Sequence, residues 1–122
     1  MEHFEHERLD VYKAAIAFLA LADAILEHLP KGRGRLADQL ERAATSISFN
    51  IAEGAGEFAT NEKARIYRIA RRSATECAAI LDVCRARRLV AEARLDAGRD
   101  LLLRIVAMLT KMILNATEKA ST

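Results

Sequence analysis

The chain has little proline, glycine or aromatic character, and these shortages restrict its fold. Among 122 residues there are one Pro, five Gly and no Trp. Because Pro and Gly mark most turns, few turns are available and we expect few, long elements. Alanine, leucine, isoleucine and arginine are abundant, which favours helices over a β-sheet. The length suits one domain with one core.

Cysteine is also scarce. Cys77 and Cys84 are separated by seven positions, which on a helix places them roughly 10 Å apart, too far for a disulfide. We therefore expect free core thiols, as suits a reducing cytoplasm. The N-terminus is acidic, unlike that of a signal peptide. The longest apolar run, Ala14 to Ala22, is much shorter than the ~20 residues that span a bilayer. We expect a cytoplasmic protein without a membrane segment.

Four segments have apolar residues at steps of three and four, the pattern of a helix with one buried face. They predict helices over about residues 9–29, 36–53, 61–88 and 96–117. Pro30 ends the first, and Gly54 is expected to end the second in a left-handed conformation. Residues 88–98 are interpreted as a connection or a broken helix start. Long helices with short loops indicate an all-α fold, an antiparallel up-down-up-down four-helix bundle.

The fourth predicted helix carries two apolar stripes, and one is enough for an intramolecular seam. We expect the second stripe to be covered by another copy of the chain, which would make the protein a homo-oligomer. The first stripe is Leu101, Ile105, Met108 and Met112, and the second, the expected interface, is Leu102, Val106, Leu109 and Ile113.

Charge is unevenly distributed although the net charge is only +2. Residues 1–30 carry two basic and six acidic side chains, whereas residues 63–94 carry nine basic and three acidic ones. Such an asymmetry permits contact with a polyanion or docking of an acidic region on a basic one. Further basic residues crowd the first loop, namely Lys31, Arg33 and Arg35.

The basic residues of the third predicted helix form a candidate nucleic-acid-binding surface. Arg65, Arg68 and Arg72 fall on one helix face by the three-and-four rule. The guanidinium fork binds phosphate bidentately, so the surface could hold RNA or DNA with little reading of sequence. The alternative is a solvated face partly neutralised by the acidic first helix. The full set is Lys63, Arg65, Arg68, Arg71, Arg72, Arg85, Arg87 and Arg88.

The segment RAATSISFNIAEGAGE, residues 42–57, places polar groups near an apolar stripe. Asn50 lies beside Ile47 on the predicted seam, where a buried amide must find partners and can set the register between helices. Residues of the third helix are plausible partners. We expect a structural polar network formed by Arg42, Ser46, Asn50, Glu53, Ser73 and Glu76.

No set of residues indicates catalysis. Ser46 and Ser48 have no nearby His to activate a nucleophile. The N-terminal EHFEHE contains metal-binding residue types, but helices two to four lack the His that a di-iron bundle needs. We expect no enzyme activity, cofactor or metal. Two alternatives stay open. One is a small-ligand or metal-binding bundle with a site built from Asn50, Glu53, Ser73 and Glu76, and the other is a structural module for a protein partner.

Residues 36–56, which include most of the segment RAATSISFNIAEGAGE, carry a family resemblance. Matches are densest through Leu36, Gln39-Leu40, Arg42-Ala43-Ala44, Ser46-Ile47, Asn50-Ile51-Ala52-Glu53-Gly54 and Gly56. The chain resembles small bacterial four-helix-bundle proteins encoded in intervening sequences of large-subunit ribosomal RNA genes. It is also similar to the related accessory variability determinant protein of diversity-generating retroelements.

The resemblance implies a cytoplasmic bundle that assembles as a homopentameric ring and has no enzyme activity. It also implies possible nucleic-acid binding through basic surfaces, because members of the family are suspected of it. One departure stands out in this chain. Ser48 occupies a position where the family usually has Pro, so a kink expected in the second helix is removed.

Overall fold

Four α-helices make up the computed structural model, which describes residues 2–121. A short 3₁₀ turn, Glu5–Arg8, precedes them. The helices are α1 (Asp10–His28), α2 (Gly34–Ala55), α3 (Thr60–Ala86) and α4 (Glu92–Ser121). Within residues 2–121 there is no β-strand. The prediction of an all-α fold with four helices is confirmed.

The first three helices begin and end within two residues of the predicted positions, but α4 begins four residues early, at Glu92. The sequence predicts a connection or a broken helix start over residues 88–98, yet residues 92–98 form the first two turns of α4. The reason is packing, because Leu95 is completely buried and joins the core.

Arg88 turns the chain before α4 with a left-handed φ of 56°. The amide of Leu89 closes this turn by donating to the carbonyl of Cys84 at 2.9 Å.

One hydrophobic core receives side chains from all four helices. Helix α1 packs against α2 and α4, and α3 packs against the same two helices. Each fully buried Leu, Ile or Phe contributes about 1.5–3 kcal/mol relative to an exposed one, so these side chains drive the association of the helices. The largest completely buried apolar side chains include Phe18, Ile25, Leu40, Ile47, Ile51, Leu95, Ile105 and Leu109.

Residues at alternating steps of four and three along α3, a heptad spacing that places them on one helix face, form a seam in the core. Its six positions are all buried, namely Ile66, Ala70, Ser73, Cys77, Ile80 and Cys84. The two cysteines are free thiols, as predicted. Burial raises the pKa of Cys77 to about 12, and burial also raises the pKa of Cys84. Both thiols are therefore protonated and act as small apolar side chains at neutral pH.

The second apolar stripe of α4, which the sequence predicts to form an interface with another copy of the chain, is mostly buried within the single chain. In the second stripe Leu102, Leu109 and Ile113 are 2%, 0% and 5% exposed in the single chain, and only Val106 is partly exposed. These three side chains pack inside the bundle and are not on its outer surface. The physical reason is that α4 packs against both α1 and α3, so a wide apolar arc is needed within one chain.

Gly54 also has a different role from the expected one. Helix α2 continues through it to Ala55, and Gly32 is the only glycine among residues 2–121 with a positive φ. A Cβ added at Gly54 would lie 2.5 Å from Cε1 and 2.7 Å from Cδ1 of Tyr67. The absence of a side chain therefore lets the Tyr67 ring of α3 pack directly on the backbone of α2.

Helix α2 runs without interruption through Ser48, where the family pattern predicts a Pro. The side chain of Ser48 is buried, and its Oγ has no hydrogen-bond partner within the described part of the chain.

Across residues 2–121, none of the helices has an apolar stretch of the length that a bilayer crossing requires.

Candidate functional site

The polar residues of α2 and α3 meet at the contact between the two helices. The hydroxyl oxygens of Ser46 and Ser73 are 2.8 Å apart and share a hydrogen bond. The Nδ2 of Asn50 donates to the carbonyl and to the hydroxyl of Ser46, at 2.8 and 3.0 Å. Asn50 thus bonds within its own helix, and Ser46 makes the link to α3. The hydrogen-bonded connection from Asn50 to α3 therefore passes through Ser46.

A second contact joins the two helices at the surface. A guanidinium nitrogen of Arg42 donates to a carboxylate oxygen of Glu76 at 2.6 Å. The side chains are 64% and 39% exposed, and an ion pair in that environment contributes about 0–1 kcal/mol. Arg42 and Glu76 therefore help to align α2 with α3 without dominating their stability.

Glu53 lies outside this network. Its side chain is exposed and has no hydrogen bond within residues 2–121. The end of α2 is stabilised instead by Lys63, whose Nζ donates to the carbonyls of Gly54 at 2.5 Å and Ala55 at 3.2 Å. Burial lowers the pKa of Lys63. Lys63 belongs to the predicted nucleic-acid-binding set, but it satisfies carbonyls that the helix leaves free at its C-terminus. Sequence reasoning did not foresee this role.

Arg65, Arg68 and Arg72 are all exposed on the outward face of α3, as the three-and-four rule predicts. We call these three residues the arginine face. Arg65 donates to the carboxylate of Glu62 at 2.5 Å, and this hydrogen bond raises its pKa. Arg68 reaches only the hydroxyl of Thr117, at 3.4 Å. Arg72 has no ion pair within the described residues.

The remaining basic residues of the predicted set fall into different environments. Arg71 donates to the hydroxyl of Thr110 at 3.3 Å. Arg85 is paired with two carboxylates of α4, those of Glu92 and, at 2.8 Å, Asp96. A doubly paired guanidinium has little positive potential left for a polyanion. Arg87 and Arg88 follow directly after α3. Both are exposed, and neither has an ion pair within residues 2–121.

The N-terminal acidic and His residues do not assemble into a metal site. His3 and Glu7 approach each other to 3.2 Å, and both are exposed. No group of three or more His, Cys, Asp or Glu side chains in the part of the chain that the structure describes could hold a metal ion.

A family model described as 23S rRNA-intervening sequence protein matches residues 7–111, which span α1 to α3 and most of α4. The chain belongs to the 23S rRNA-intervening sequence protein family. The resemblance seen in the sequence is therefore confirmed. No curated protein matches the chain.

The residues of the motif at positions 42–57 make contacts between α2 and α3. Ser46 bonds to both Asn50 and Ser73, and the Tyr67 ring packs against Gly54. The arginine face points away from these contacts. The geometry therefore separates a structural seam from an exposed basic surface on the same helix.

We predict that Ser46 and Ser73 are energetically coupled. Ser46→Ala leaves the buried Ser73 hydroxyl without its partner, so the free energy of unfolding falls by about 1–2 kcal/mol. The double variant Ser46→Ala with Ser73→Ala should lose about 1 kcal/mol less free energy of unfolding than the two single variants lose in sum. Denaturant unfolding of the four proteins of the cycle measures this coupling.

Thr45→Ala is the matched control, because the Thr45 hydroxyl donates only to carbonyls of its own helix. Combined with Ser73→Ala it should be additive. Additive behaviour of Ser46→Ala with Ser73→Ala would contradict the predicted link between the helices.

Proposed function

We propose that this protein is a non-catalytic, oligomeric helical bundle that binds nucleic acid through the arginine face of α3. The observation that carries the proposal is the exposure of Arg65, Arg68 and Arg72 on one side of one helix, with Arg68 and Arg72 free of any ion pair within residues 2–121. Three guanidinium groups along a helix supply a line of bidentate phosphate donors. Such contacts bind the phosphate backbone of a nucleic acid and depend little on its base sequence.

The existing contacts of the arginine face are weak enough to be exchanged for phosphate. The pair of Arg65 with Glu62 lies at the surface, where an ion pair contributes about 0–1 kcal/mol. The hydrogen bond of Arg68 with Thr117 is long, at 3.4 Å. A charge-assisted bond to a phosphate oxygen is stronger than a bond to a neutral hydroxyl. Binding of RNA or DNA would therefore replace these contacts at small cost.

An exposed aromatic residue supports the same proposal. Phe58 lies just before α3 and is 98% exposed. Aromatic side chains at the surface can stack on unpaired bases, which favours single-stranded nucleic acid as the partner. Tyr67, the other aromatic residue near the arginines, is buried against α2 and is not available for stacking.

We further propose that the helices alternate in direction, in an antiparallel up-down-up-down bundle. The hydrogen-bonded partners support this arrangement, because the residue number on one helix falls as that on its neighbour rises. Between α3 and α4 the pairs are Arg68 with Thr117, Arg71 with Thr110 and Arg85 with Asp96. Between α2 and α3 the pairs are Arg42 with Glu76, Ser46 with Ser73 and Gly54 with Lys63.

The proposed oligomer uses apolar side chains that the single chain leaves exposed. Leu103 on α4 is 55% exposed, and Val106 is partly exposed beside it. Both line a mainly apolar groove of about 210 Å³ with Ala74 and Ala78 of α3. Of the predicted interface residues, Leu102 and Val106 line this groove, whereas Leu109 and Ile113 are buried elsewhere in the bundle. The family resemblance suggests a homopentamer in the cytoplasm as the assembled form.

Of the alternative functions, a protein-interaction module has an observation in its favour. The apolar groove that suits a second copy of the chain would also suit a different protein partner. A small-ligand or metal site around Asn50 and Glu76 lacks such support, because Ser46 and Arg42 already engage these two side chains.

We predict that Arg68→Gln with Arg72→Gln weakens binding of single-stranded RNA. Each phosphate contact on a single strand contributes about 0.7 to the slope of log affinity against log salt, so the slope becomes shallower by about 1.4. Fluorescence anisotropy with a labelled oligonucleotide over a series of salt concentrations measures both affinity and slope.

The control is Arg104→Gln with Lys111→Gln, which removes two exposed charges of α4 that have no ion pair within residues 2–121. This variant should keep the slope of the wild-type protein. An unchanged slope in the α3 variant, or no binding by the wild-type protein at low salt, would refute the nucleic-acid proposal.

A second prediction concerns assembly. Leu103→Lys places a charge in the apolar groove beside Arg99, and it should reduce the oligomer to monomers because a buried, unpaired ammonium group is costly. Sedimentation velocity at micromolar concentration measures the mass. Ile16→Lys is the control, since Ile16 is a 42% exposed apolar residue on α1 and lies outside the groove. A monomeric wild-type protein would overturn the oligomer proposal.

A further inference from the structure

A cleft lies between the start of α2 and the end of α3, on a different part of the molecule from the arginine face. Its volume is about 300 Å³. Three arginines line it: Arg33 and Arg35 at the start of α2 and Arg87 just after α3. The side chain of Gln39 also lines the cleft, so amide donors are present beside the guanidinium groups.

The positive charge in the cleft is not neutralised by the chain itself. No carboxylate lines it, and none of the three arginines has an ion pair within residues 2–121. The contrast with Arg85 is informative, since that residue precedes Arg87 by two positions and is paired with two carboxylates. Three like charges around one cavity repel one another, and an anion placed between them would relieve that repulsion.

We propose that this cleft binds a phosphate monoester. The guanidinium fork matches the geometry of phosphate oxygens, and three forks lining one cavity can satisfy the several acceptors of a dianion. The volume lies at the lower end of the range for small-molecule pockets, so it admits a phosphate together with a small attached group. Apolar side chains of Leu36 and Val83 complete the lining and can contact that group.

The phosphate monoester has two possible sources with the same chemistry, a free small molecule or the terminal phosphate of a nucleic acid. The inference goes beyond the proposed function, because it requires none of Arg65, Arg68 and Arg72. A cleft variant and an arginine-face variant therefore separate the two ideas.

The experiment measures binding of inorganic phosphate and of a nucleoside 5′-monophosphate by isothermal titration calorimetry, at low ionic strength in a phosphate-free buffer. Arg33→Gln with Arg87→Gln should weaken binding by about a hundredfold, because each substitution removes a charge-assisted bond worth about a factor of ten. The matched control is Arg104→Gln with Lys111→Gln, two exposed residues of α4 outside the cleft, and it should stay within about twofold of the wild-type protein. Thermal melting checks that each variant is folded.

Two RNA oligonucleotides identify the source. If the ligand is a nucleic-acid end, RNA with a 5′-phosphate binds more tightly than the same RNA with a 5′-hydroxyl, and the cleft variant abolishes the difference. If the ligand is a free small molecule, the monophosphate binds and the two RNAs do not differ. Should the double variant fail to fold, Arg35→Gln and the arginine Nε–H signals of the wild-type protein in NMR replace it. Absence of saturable phosphate binding, or equal affinity in the cleft variant and the wild-type protein, overturns the proposal.

Discussion

The direct contact between the Tyr67 ring and the backbone of α2 at Gly54 is the constraint on which the other features depend. It brings α2 and α3 close together, and only a residue without Cβ permits it. The hydroxyls of Ser46 and Ser73 then meet at 2.8 Å, and Lys63 reaches the last carbonyls of α2. With one side of α3 committed to α2, the arginine face is directed outward. The proposed binding surface is thus a consequence of the seam.

Much of the fold could be predicted because periodicity reports burial directly. The six seam positions of α3 are buried as the heptad spacing requires, and the first three helices lie close to their predicted ranges. The errors arose where a residue's role depends on its neighbours in space. Leu95 extends α4 because it finds the core, and Leu102 is buried because α3 lies beside it. Neither neighbour can be read from the sequence of α4 alone.

The candidate site was predictable in its residue types but not in its pairings. Ser46, Asn50 and Ser73 were expected to interact, and they do, because all three lie near the seam. A count of charges could not show that Lys63 caps α2 or that Arg85 is neutralised by Asp96. Those contacts depend on the distance between helices. The basic set therefore divides into structural, paired and exposed members only once the structure is known.

The most direct test of this account is Gly54→Ala, measured for both stability and RNA binding. The added Cβ would lie 2.5 Å from the Tyr67 ring, so we predict a loss of about 1–3 kcal/mol in the free energy of unfolding, while the folded protein keeps its affinity for RNA. Gly34→Ala is the control, because nothing lies within 4 Å of its added Cβ, and it should not destabilise the protein. A Gly54→Ala protein of wild-type stability that no longer binds RNA would contradict the account and place the function in the motif itself.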